Sequence, residues 1–459
     1  MFRGGNGAEQ IMADYSEVTE FCEGYKQFLN KCKTEREVVQ EVKRQAQAAG
    51  FQDIEELYKE GKSLHFGDKV YAVKEQKAIS LFVIGRENFE EGMNLICAHA
   101  DSPRLDVKPQ PFYEKEEMAL MKTHYYGGVK KYQWATVPLA LHGVIIKKDG
   151  TKIQVALGEK EDDPVFYISD LPKHLSGEQM NKSMEEGIIG ESLNLVSGLL
   201  PPDTQEIQGA KEHVLSLLRA QYGITEKDFI SAELEVVPAM KARDVGFDRS
   251  MIAAYGHDDK VCLYAALCAI LKMENPNHTC GAFFVDKEEV GSRGNTGMHS
   301  RLMENTVALL CQMHDEKGSF LLRRALEHSK MLSADVLVAY DSNYSEAYDP
   351  YNSAKLGYGP VLAKYTGRAG KKGANDANAE YLAELRKAFD EENVIWQTGE
   401  MGKIDFGGGG TIGPFAATYG MQVAECGTAL LSMHAPYELA GKLDIYETHQ
   451  AYYAFYCMG

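Results

Sequence analysis

Two adjacent glutamates, Glu288 and Glu289, have the type and the setting of catalytic residues. They closely follow the apolar run Cys280–Val285, which predicts a strand, and Gly291 then predicts a turn. Adjacent side chains on a strand point to opposite faces, but where the chain turns at a strand end both carboxylates can face one cleft. One could bind a metal ion while the other accepts and returns a proton. An isolated Glu-Glu pair is more often a solvated acidic corner, so this interpretation depends on other candidate ligands.

Further candidate ligands occur in similar settings, and they are His99, Asp258, Asp341 and His434. His99 directly follows the strand-like run 94–98, and Asp341 directly follows the run 336–340. Two imidazoles and three carboxylates, with one glutamate to spare, meet the needs of two zinc-like ions. Two such ions about 3.5–4 Å apart can hold a substrate carbonyl and a nucleophilic water together. The sequence therefore predicts two-metal hydrolytic chemistry.

Asp258 and two acids close to the candidate ligands, Asp259 and Asp101, would determine the geometry of the predicted centre. Asp258 and Asp259 open a predicted helix, where either could be the N-cap or could bridge two cations. Asp101 lies two residues after His99, on the same side of an extended chain. It could accept the second ring N–H of His99 and hold the imidazole in one tautomer.

The elements that must position these residues predict an α/β fold. Strand and helix patterns alternate before residue 107 and after residue 247, which predicts a central sheet flanked by helices. Sheets of this kind bind ligands beyond their strand ends, where His99 and Glu288 would lie. Glycine-punctuated strand patterns predict an inserted β-rich domain at 107–247, a candidate lid and oligomerisation domain. Residues 1–106 and 248–459 would form one discontinuous catalytic domain.

The composition argues against several classes of partner. The formal net charge of −18 disfavours binding to nucleic acid and to anionic membrane surfaces. No apolar stretch approaches the roughly 20 residues of a membrane span, and the N-terminus lacks the apolar segment of a signal peptide. The nine cysteines are scattered and include no Cys-x-x-Cys pair, which is typical of a reducing compartment. We therefore expect a cytoplasmic protein.

Six segments, in order, carry a resemblance to a known family, and they are residues 99–109, 256–260, 286–292, 340–343, 408–414 and 432–438. Through them the chain is similar, almost end to end, to the M18 family of co-catalytic metallo-aminopeptidases, the aspartyl aminopeptidase family, as a bacterial-type member. The resemblance implies a zinc-peptidase-like central mixed sheet. It also implies removal of single residues from the free N-terminus of short peptides, with a preference for Asp or Glu.

The resemblance also implies a role for each candidate residue. The residues that would hold two divalent metals are Asp258 as the bridge, His99 and Asp341 on one ion, and Glu289 and His434 on the other. Glu288 would be the general base, and Asp101 would support His99. Eukaryotic members tend to have Asp-Asn where this chain has Asp258-Asp259, so Asp259 stays an alternative bridge. Zinc is the expected metal, although cobalt and manganese suit such ligands as well.

The substrate residues are assigned mainly by the resemblance. Lys364 would bind the acidic side chain of the substrate, and His174 would reach the active site of a neighbouring subunit. Gly409 and Gly410 would let the backbone approach the substrate. The run 407–411 lacks the Gly-Lys-Ser/Thr ending of a phosphate loop. Family members form closed dodecamers, so we expect a homo-oligomer whose insertion closes the neighbouring site.

Two alternatives remain open at this point. A related co-catalytic metallohydrolase, such as an M42-type aminopeptidase or an N-acyl amino acid deacylase, would keep the metals and act on another substrate. A non-catalytic self-assembling scaffold would keep only the fold. Metal content separates the scaffold from the enzymes, and a panel of substrates separates the enzymes from each other.

Overall fold

The computed structural model describes residues 7–199, 209–314, 320–367 and 369–459, with the backbone alone for residues 7–14. The strands of these residues are β1 (Gln52–Asp53), β2 (Lys69–Lys74), β3 (Ala78–Val83), β4 (Asn94–His99), β5 (Arg104–Lys115), β6 (Met118–Tyr126), β7 (Leu139–Ile146), β8 (Lys152–Leu157), β9 (Leu195–Leu199), β10 (Ala232–Pro238), β11 (Arg243–Val245), β12 (Met251–Ala254), β13 (Cys280–Val285), β14 (Lys330–Ser333), β15 (Leu337–Val338), β16 (Val361–Ala363), β17 (Gln422–Gly427), β18 (Ala429–Leu431) and β19 (Glu438–Gly441). The helices are α1 (Gly7–Lys31), α2 (Glu35–Ala48), α3 (Ile54–Lys59), α4 (Met184–Gly187), α5 (Ala210–Tyr222), α6 (His257–Lys272), α7 (Leu302–Met313), α8 (Leu321–Glu327), α9 (Ala379–Glu391), α10 (Gly413–Ala417) and α11 (Lys442–Tyr456).

These elements form two compact units. The first contains the chain up to Asp101 together with residues 242–433 and 438–459, and the second contains residues 102–241 and 434–437. The sequence pattern placed the domain boundaries after residues 106 and 247. It gave no sign that the short segment 434–437, which carries His434, belongs with the second unit. Part of the predicted insertion, residues 200–208, lies outside the described residues.

An eight-stranded mixed sheet forms the centre of the first unit, in the order β1-β2-β3-β13-β4-β14-β17-β16. The middle strands β13, β4, β14 and β17 are parallel to one another, while β3 and β16 are antiparallel to their neighbours. Along β4, Ile96 and Ala98 pack in a buried cluster with α1, α2, α6 and α11, while Leu95 and Cys97 pack in a second cluster with α7, α8 and α10. Burial on both faces explains the continuous apolar runs in the sequence. The predicted α/β class, with a central mixed sheet flanked by helices, is confirmed.

A five-stranded sheet, in the order β11-β12-β19-β18-β15, is also part of the first unit. Its strand β15 comes from the predicted strand 336–340 and pairs with β18. The strand of this region that lies in the large sheet is β14, which runs parallel to β4 and β17. The sequence pattern missed β14 because two of its four residues, Lys330 and Ser333, are polar.

The second unit is built on a six-stranded antiparallel sheet, in the order β8-β7-β10-β5-β6-β9. Residues of β6 alternate between buried and partly exposed along much of the strand, as expected for a sheet with one covered face. Helix α5 contacts β6 and β9. The predicted β-rich insertion is therefore confirmed as a feature of the fold.

Candidate metal centre

Three parallel strands of the large sheet end at one edge, and each brings an imidazole or a carboxylate to it. Strand β4 ends at His99, β13 ends three residues before Glu288, and β14 ends two residues before Asp335. Neighbouring parallel strands present their carboxyl ends together, which is where α/β sheets bind ligands. The start of α6 adds Asp258 to the same place, 3.1 Å from the His99 ring.

The His99 imidazole is buried, and its two nitrogens face different partners. Nδ1 lies 3.0 Å from the Asp101 carbonyl oxygen and 3.3 Å from Asp101 Oδ1, so Nδ1 carries a hydrogen and donates it. Nε2 lies 3.1 Å from Asp258 Oδ1 and 3.8 Å from Asp335 Oδ1. Burial alone would lower the pKa of His99, but hydrogen bonds with these three carboxylates raise it well above its usual value. Nε2 therefore points to a position that favours a positive charge, either a proton or a metal ion.

Asp101 connects His99 to the two glutamates. Besides lying next to the His99 ring, its carboxylate accepts the backbone N–H of Glu288 at 3.2 Å and that of Glu289 at 3.3 Å. The residue is fully buried, so these contacts are sheltered from water. The sequence assigned Asp101 to His99 alone, and the contact with the glutamate backbone appears only in the tertiary structure.

Glu288 and Glu289 lie on a single 3-10 turn, Glu288–Val290, that follows β13. Residues in the left-handed region frame this turn, with φ of 69° at Lys287 and 89° at Gly291. Glycine adopts such angles at no steric cost, which explains why a glycine is found at position 291. The turn releases the two carboxylates from the opposite faces that a continuing strand would give them.

The surroundings of the Glu288 carboxyl raise its affinity for a proton. Burial raises its pKa to about 8, and the nearby carboxylates of Asp335 and Asp258 add to the rise. A side chain whose pKa lies near the working pH can both accept and return a proton.

The acidic pair at the start of α6 directs its two carboxylates to different partners. Both residues have non-helical backbone angles, with φ −78° and ψ 108° at Asp258. Asp258 Oδ1 faces the His99 ring, whereas Asp259 Oδ2 accepts the backbone N–H of His99 at 3.2 Å. The N–H of Asp258 donates to Glu438 at 3.1 Å, which fixes the backbone. This geometry favours Asp258 over Asp259 as the carboxylate that could bridge two ions.

Asp335 occupies the position that the sequence analysis gave to Asp341. Asp335 is 8% exposed and faces the His99 ring. Asp341 instead caps the 3-10 helix Ser342–Ala347, where its carboxylate accepts a backbone N–H at 2.9 Å. Asp341 belongs to none of the groups of possible metal ligands in the described part of the chain. The ligand role of Asp341 stays a prediction that this geometry does not support, because its preceding strand lies in the five-stranded sheet. The signal that could have located Asp335 is its place just after the short strand β14.

The donor set fits a divalent cation such as zinc. His99, Asp258 and Asp335 are buried, and each offers a ligand atom within 4.8 Å of the other two. His99, Glu288 and Glu289 do the same, and oxygens of Asp258 and Glu289 also lie within that distance. Imidazole nitrogen and carboxylate oxygen are both zinc ligands. Several buried carboxylates around one imidazole would be costly without a compensating positive charge.

Two of the predicted site residues lie in the second unit. The His434 ring is hydrogen-bonded through Nδ1 to the carbonyl oxygen of Gly128 at 2.9 Å, and its backbone has φ 67°. His174 is exposed, in the segment between β8 and α4. The role of His434 as a ligand and that of His174 at a neighbouring site stay predictions.

The predicted substrate residues of the first unit lie on two loops. Lys364 is exposed and directly follows β16, the edge strand of the large sheet. Gly409 and Gly410 precede α10. A Cβ atom at Gly409 would lie 3.3 Å from Sδ of Met401, whereas at Gly410 it would meet nothing within 4 Å. Contact between these residues and a substrate stays a prediction.

Of the described helices, none combines the length and the apolar character that crossing a membrane requires.

Comparison with known proteins gives matches over nearly the whole chain. The family model "Aminopeptidase I zinc metalloprotease (M18)" matches residues 28–456. The "Probable M18 family aminopeptidase 1" of Clostridium acetobutylicum is 51% identical over 440 residues, covering 96% of this chain and 95% of the relative. The crystal structure of an M18 aminopeptidase from Thermotoga maritima is 44% identical, with a TM-score of 0.92 and 97% of each chain covered. The mApe1 dodecamer of S. cerevisiae is 21% identical, with a TM-score of 0.75, and covers 94% of this chain and 95% of its own. At that identity the likeness shows the fold alone.

Proposed function

The chain belongs to the M18 family of zinc metallo-aminopeptidases. We propose that it uses two metal ions to remove single residues from the N-terminus of short peptides. The observation that carries this proposal is the buried group of His99, Asp258 and Asp335, with Glu288 next to it. A single group of three ligands suits one ion. The short distance from Asp258 to Glu289 supports a second ion that shares the Asp258 carboxylate. His434, assigned from the sequence, would complete the second set.

Glu288, Asp101 and His99 would each have a separate role in peptide hydrolysis. Bound zinc would supply a Lewis acid that polarises the scissile carbonyl and acidifies a water molecule. Glu288 would accept the proton of that water and return it to the leaving amine. Asp101 would keep Glu288 in place through the backbone and would hold the His99 ring so that Nε2 points to the metal.

Metal removal tests the proposal directly. Treatment with a chelator is expected to abolish release of p-nitroaniline from amino-acid p-nitroanilides, and added zinc is expected to restore it, because the chain's carboxylates alone cannot polarise the carbonyl. Bound zinc per chain would be measured in parallel. Faster hydrolysis of N-acyl amino acids than of free-amine substrates would instead favour a deacylase. A protein that binds no metal and cleaves neither class would favour the scaffold.

The proposed preference for acidic N-terminal residues is tested at Lys364. Its ammonium group is exposed, and an exposed ion pair contributes up to about 1 kcal/mol, so Lys364→Ala should weaken kcat/KM for Asp and Glu substrates about fivefold. Substrates that begin with Leu should change little, because they have no carboxylate to lose a partner. Lys355→Ala, another exposed lysine of the same unit, is the matched control. An equal loss on all substrates, or a wild-type enzyme that prefers Leu, would contradict the preference.

We also propose that the chain forms a homo-oligomer through its insertion. Large apolar side chains on the same segment as His174 are exposed in the second unit, and they are Leu171, Leu175, Met180, Met184 and Ile189. Exposed apolar side chains concentrated on one segment suit an interaction site in a soluble protein. The dodecamer of the yeast relative is consistent with this proposal. Light scattering should give a mass several times the 51.0 kDa of one chain, and Met180→Asp should lower it. A fully active monomer would rule the assembly out as a requirement.

A further inference from the structure

The segment 400–411 is held at both of its ends by a carboxylate. At the first end, Glu400 Oε1 accepts the hydroxyl hydrogen of Tyr365 at 2.5 Å. At the second end, the hydroxyl of Thr411 donates to Glu425 Oε1 at 2.8 Å. Four consecutive glycines, residues 407–410, lie between these contacts. We call residues 400–411 the glycine-rich loop.

The loop forms one wall of a cavity of about 810 Å³ in the first unit. Residues Glu400–Gly407 line it, together with Tyr365 and Lys371 from the segment after β16. Tyr365 is the immediate neighbour of Lys364, the predicted substrate residue. The position of the loop therefore sets the shape of a cavity next to that residue.

Glu425 lies where several elements converge. It is a residue of β17 and pairs with Ser333 of β14 on one side and with Ala363 of β16 on the other. It is 1% exposed. A Cβ atom at Gly413, the first residue of α10, would lie only 2.5 Å from Glu425 Oε1, so the start of this helix packs directly on the carboxyl group. One carboxyl group thus contacts the end of the loop and the strand that leads to Asp335.

An acid at this position is costly in isolation. On the same face of the sheet, Val423 of β17 packs in a buried apolar cluster with Ile412, which directly precedes α10, and Ala416 of α10, so an aliphatic residue would be expected here. Burial raises the pKa of Glu425 to about 7, although the nearby hydroxyl groups of Ser333 and Thr411 oppose the rise. Burying a carboxyl group costs free energy unless hydrogen bonds replace those it made with water. Outside the sheet, the Glu425 carboxyl accepts a hydrogen bond from Thr411 of the glycine-rich loop.

Four glycines have an unusually large conformational freedom, so a loop that contains them depends strongly on its anchors. We propose that Glu425 is a positioning residue that, through Thr411, holds the glycine-rich loop in place for the substrate. This inference rests on the proposed function in one respect, namely that the substrate contacts the loop. The anchoring itself is independent of activity and can be measured without a substrate.

The test compares variants of the two partners in the zinc-loaded enzyme. Glu425→Leu is expected to raise KM at least about tenfold, because the glycine-rich loop loses its Thr411 anchor and no longer stays in the position that contacts the substrate. The values of kcat and of bound zinc should stay nearly unchanged. Thr411→Val, a milder change, should act in the same direction. The double variant should lose little more than Glu425→Leu alone, since both changes break one contact. Glu425→Gln keeps a hydrogen-bonding amide and should restore KM to within about threefold of wild type.

Limited trypsin digestion gives a second readout. Lys403 is exposed on the loop, and release of one anchor should speed cleavage after it, seen as a fragment that begins at Ile404. Thr428→Val is the matched control, since Thr428 is equally buried, follows the same strand and is hydrogen-bonded to Thr448 at 2.8 Å. It should lower thermal stability but leave both KM and cleavage at Lys403 unchanged.

Two results would overturn the proposal. The first is unchanged KM and unchanged cleavage in both Glu425→Leu and Thr411→Val. The second is an equal effect of Thr428→Val, which would mean that general destabilisation is responsible. If the wild-type protein cleaves no aminoacyl substrate, the proposed function fails, while faster cleavage at Lys403 would still establish the anchor.

Discussion

Replacing Glu288 with glutamine is expected to lower kcat at least about 100-fold, the scale of general-base removal. The amide has the shape of the carboxylate but cannot accept the proton of water. The substitution should leave the backbone in place, because Asp101 accepts the backbone N–H of residue 288 and does not contact its side chain through this hydrogen bond. Steady-state kinetics on an aminoacyl p-nitroanilide would give kcat, and metal analysis would give zinc per chain. Zinc content is expected to stay at the wild-type level.

The neighbouring residue supplies the control for this prediction. Glu289→Gln should reduce bound zinc together with the rate, because Glu289 lies within ligand distance of Asp258. The two variants differ by one position on the same 3-10 turn, so a difference between them cannot come from loss of the turn. Near-native activity in Glu288→Gln would remove Glu288 from the mechanism. Loss of zinc in that variant would make Glu288 a ligand.

Replacing Asp335 with alanine should weaken zinc binding by at least about 100-fold, since loss of a residue that only supports a ligand already costs up to that amount. Asp335 is buried and faces the His99 ring, so the substitution removes a ligand atom from inside the buried group. Activity at limiting zinc should fall with the affinity. Zinc affinity would be measured by competition with a chelator, which gives a readout besides turnover.

Asp341→Ala is the matched variant, because both acids come shortly after a strand and lie only six positions apart. It removes a helix cap at a partly exposed site, which typically costs about 1 kcal/mol of stability. Zinc affinity and kcat should stay close to wild type. The reverse outcome, in which Asp341→Ala loses zinc and Asp335→Ala does not, would restore the ligand expected from the sequence.

The sequence by itself determined the family, the α/β class and the strand ends that carry His99 and the two glutamates. The physical reason is that β4 and β13 are buried on both faces and are therefore continuous apolar runs. A polar residue that closes such a run stands out against it. The β-rich insertion was also readable, because its strands alternate and are separated by glycine turns.

Only the tertiary structure decided between acids that look alike in sequence. Asp335 and Asp341 differ in which sheet receives the preceding strand, and that depends on pairing between β14 and strands distant in sequence. Asp258 and Asp259 differ in the direction of their side chains, which non-helical backbone angles at the start of α6 set. Glu425 was not visible as a site residue at all, since its partner Thr411 lies on a separate loop. Contacts of this kind arise from strand register and packing, which local sequence patterns do not contain.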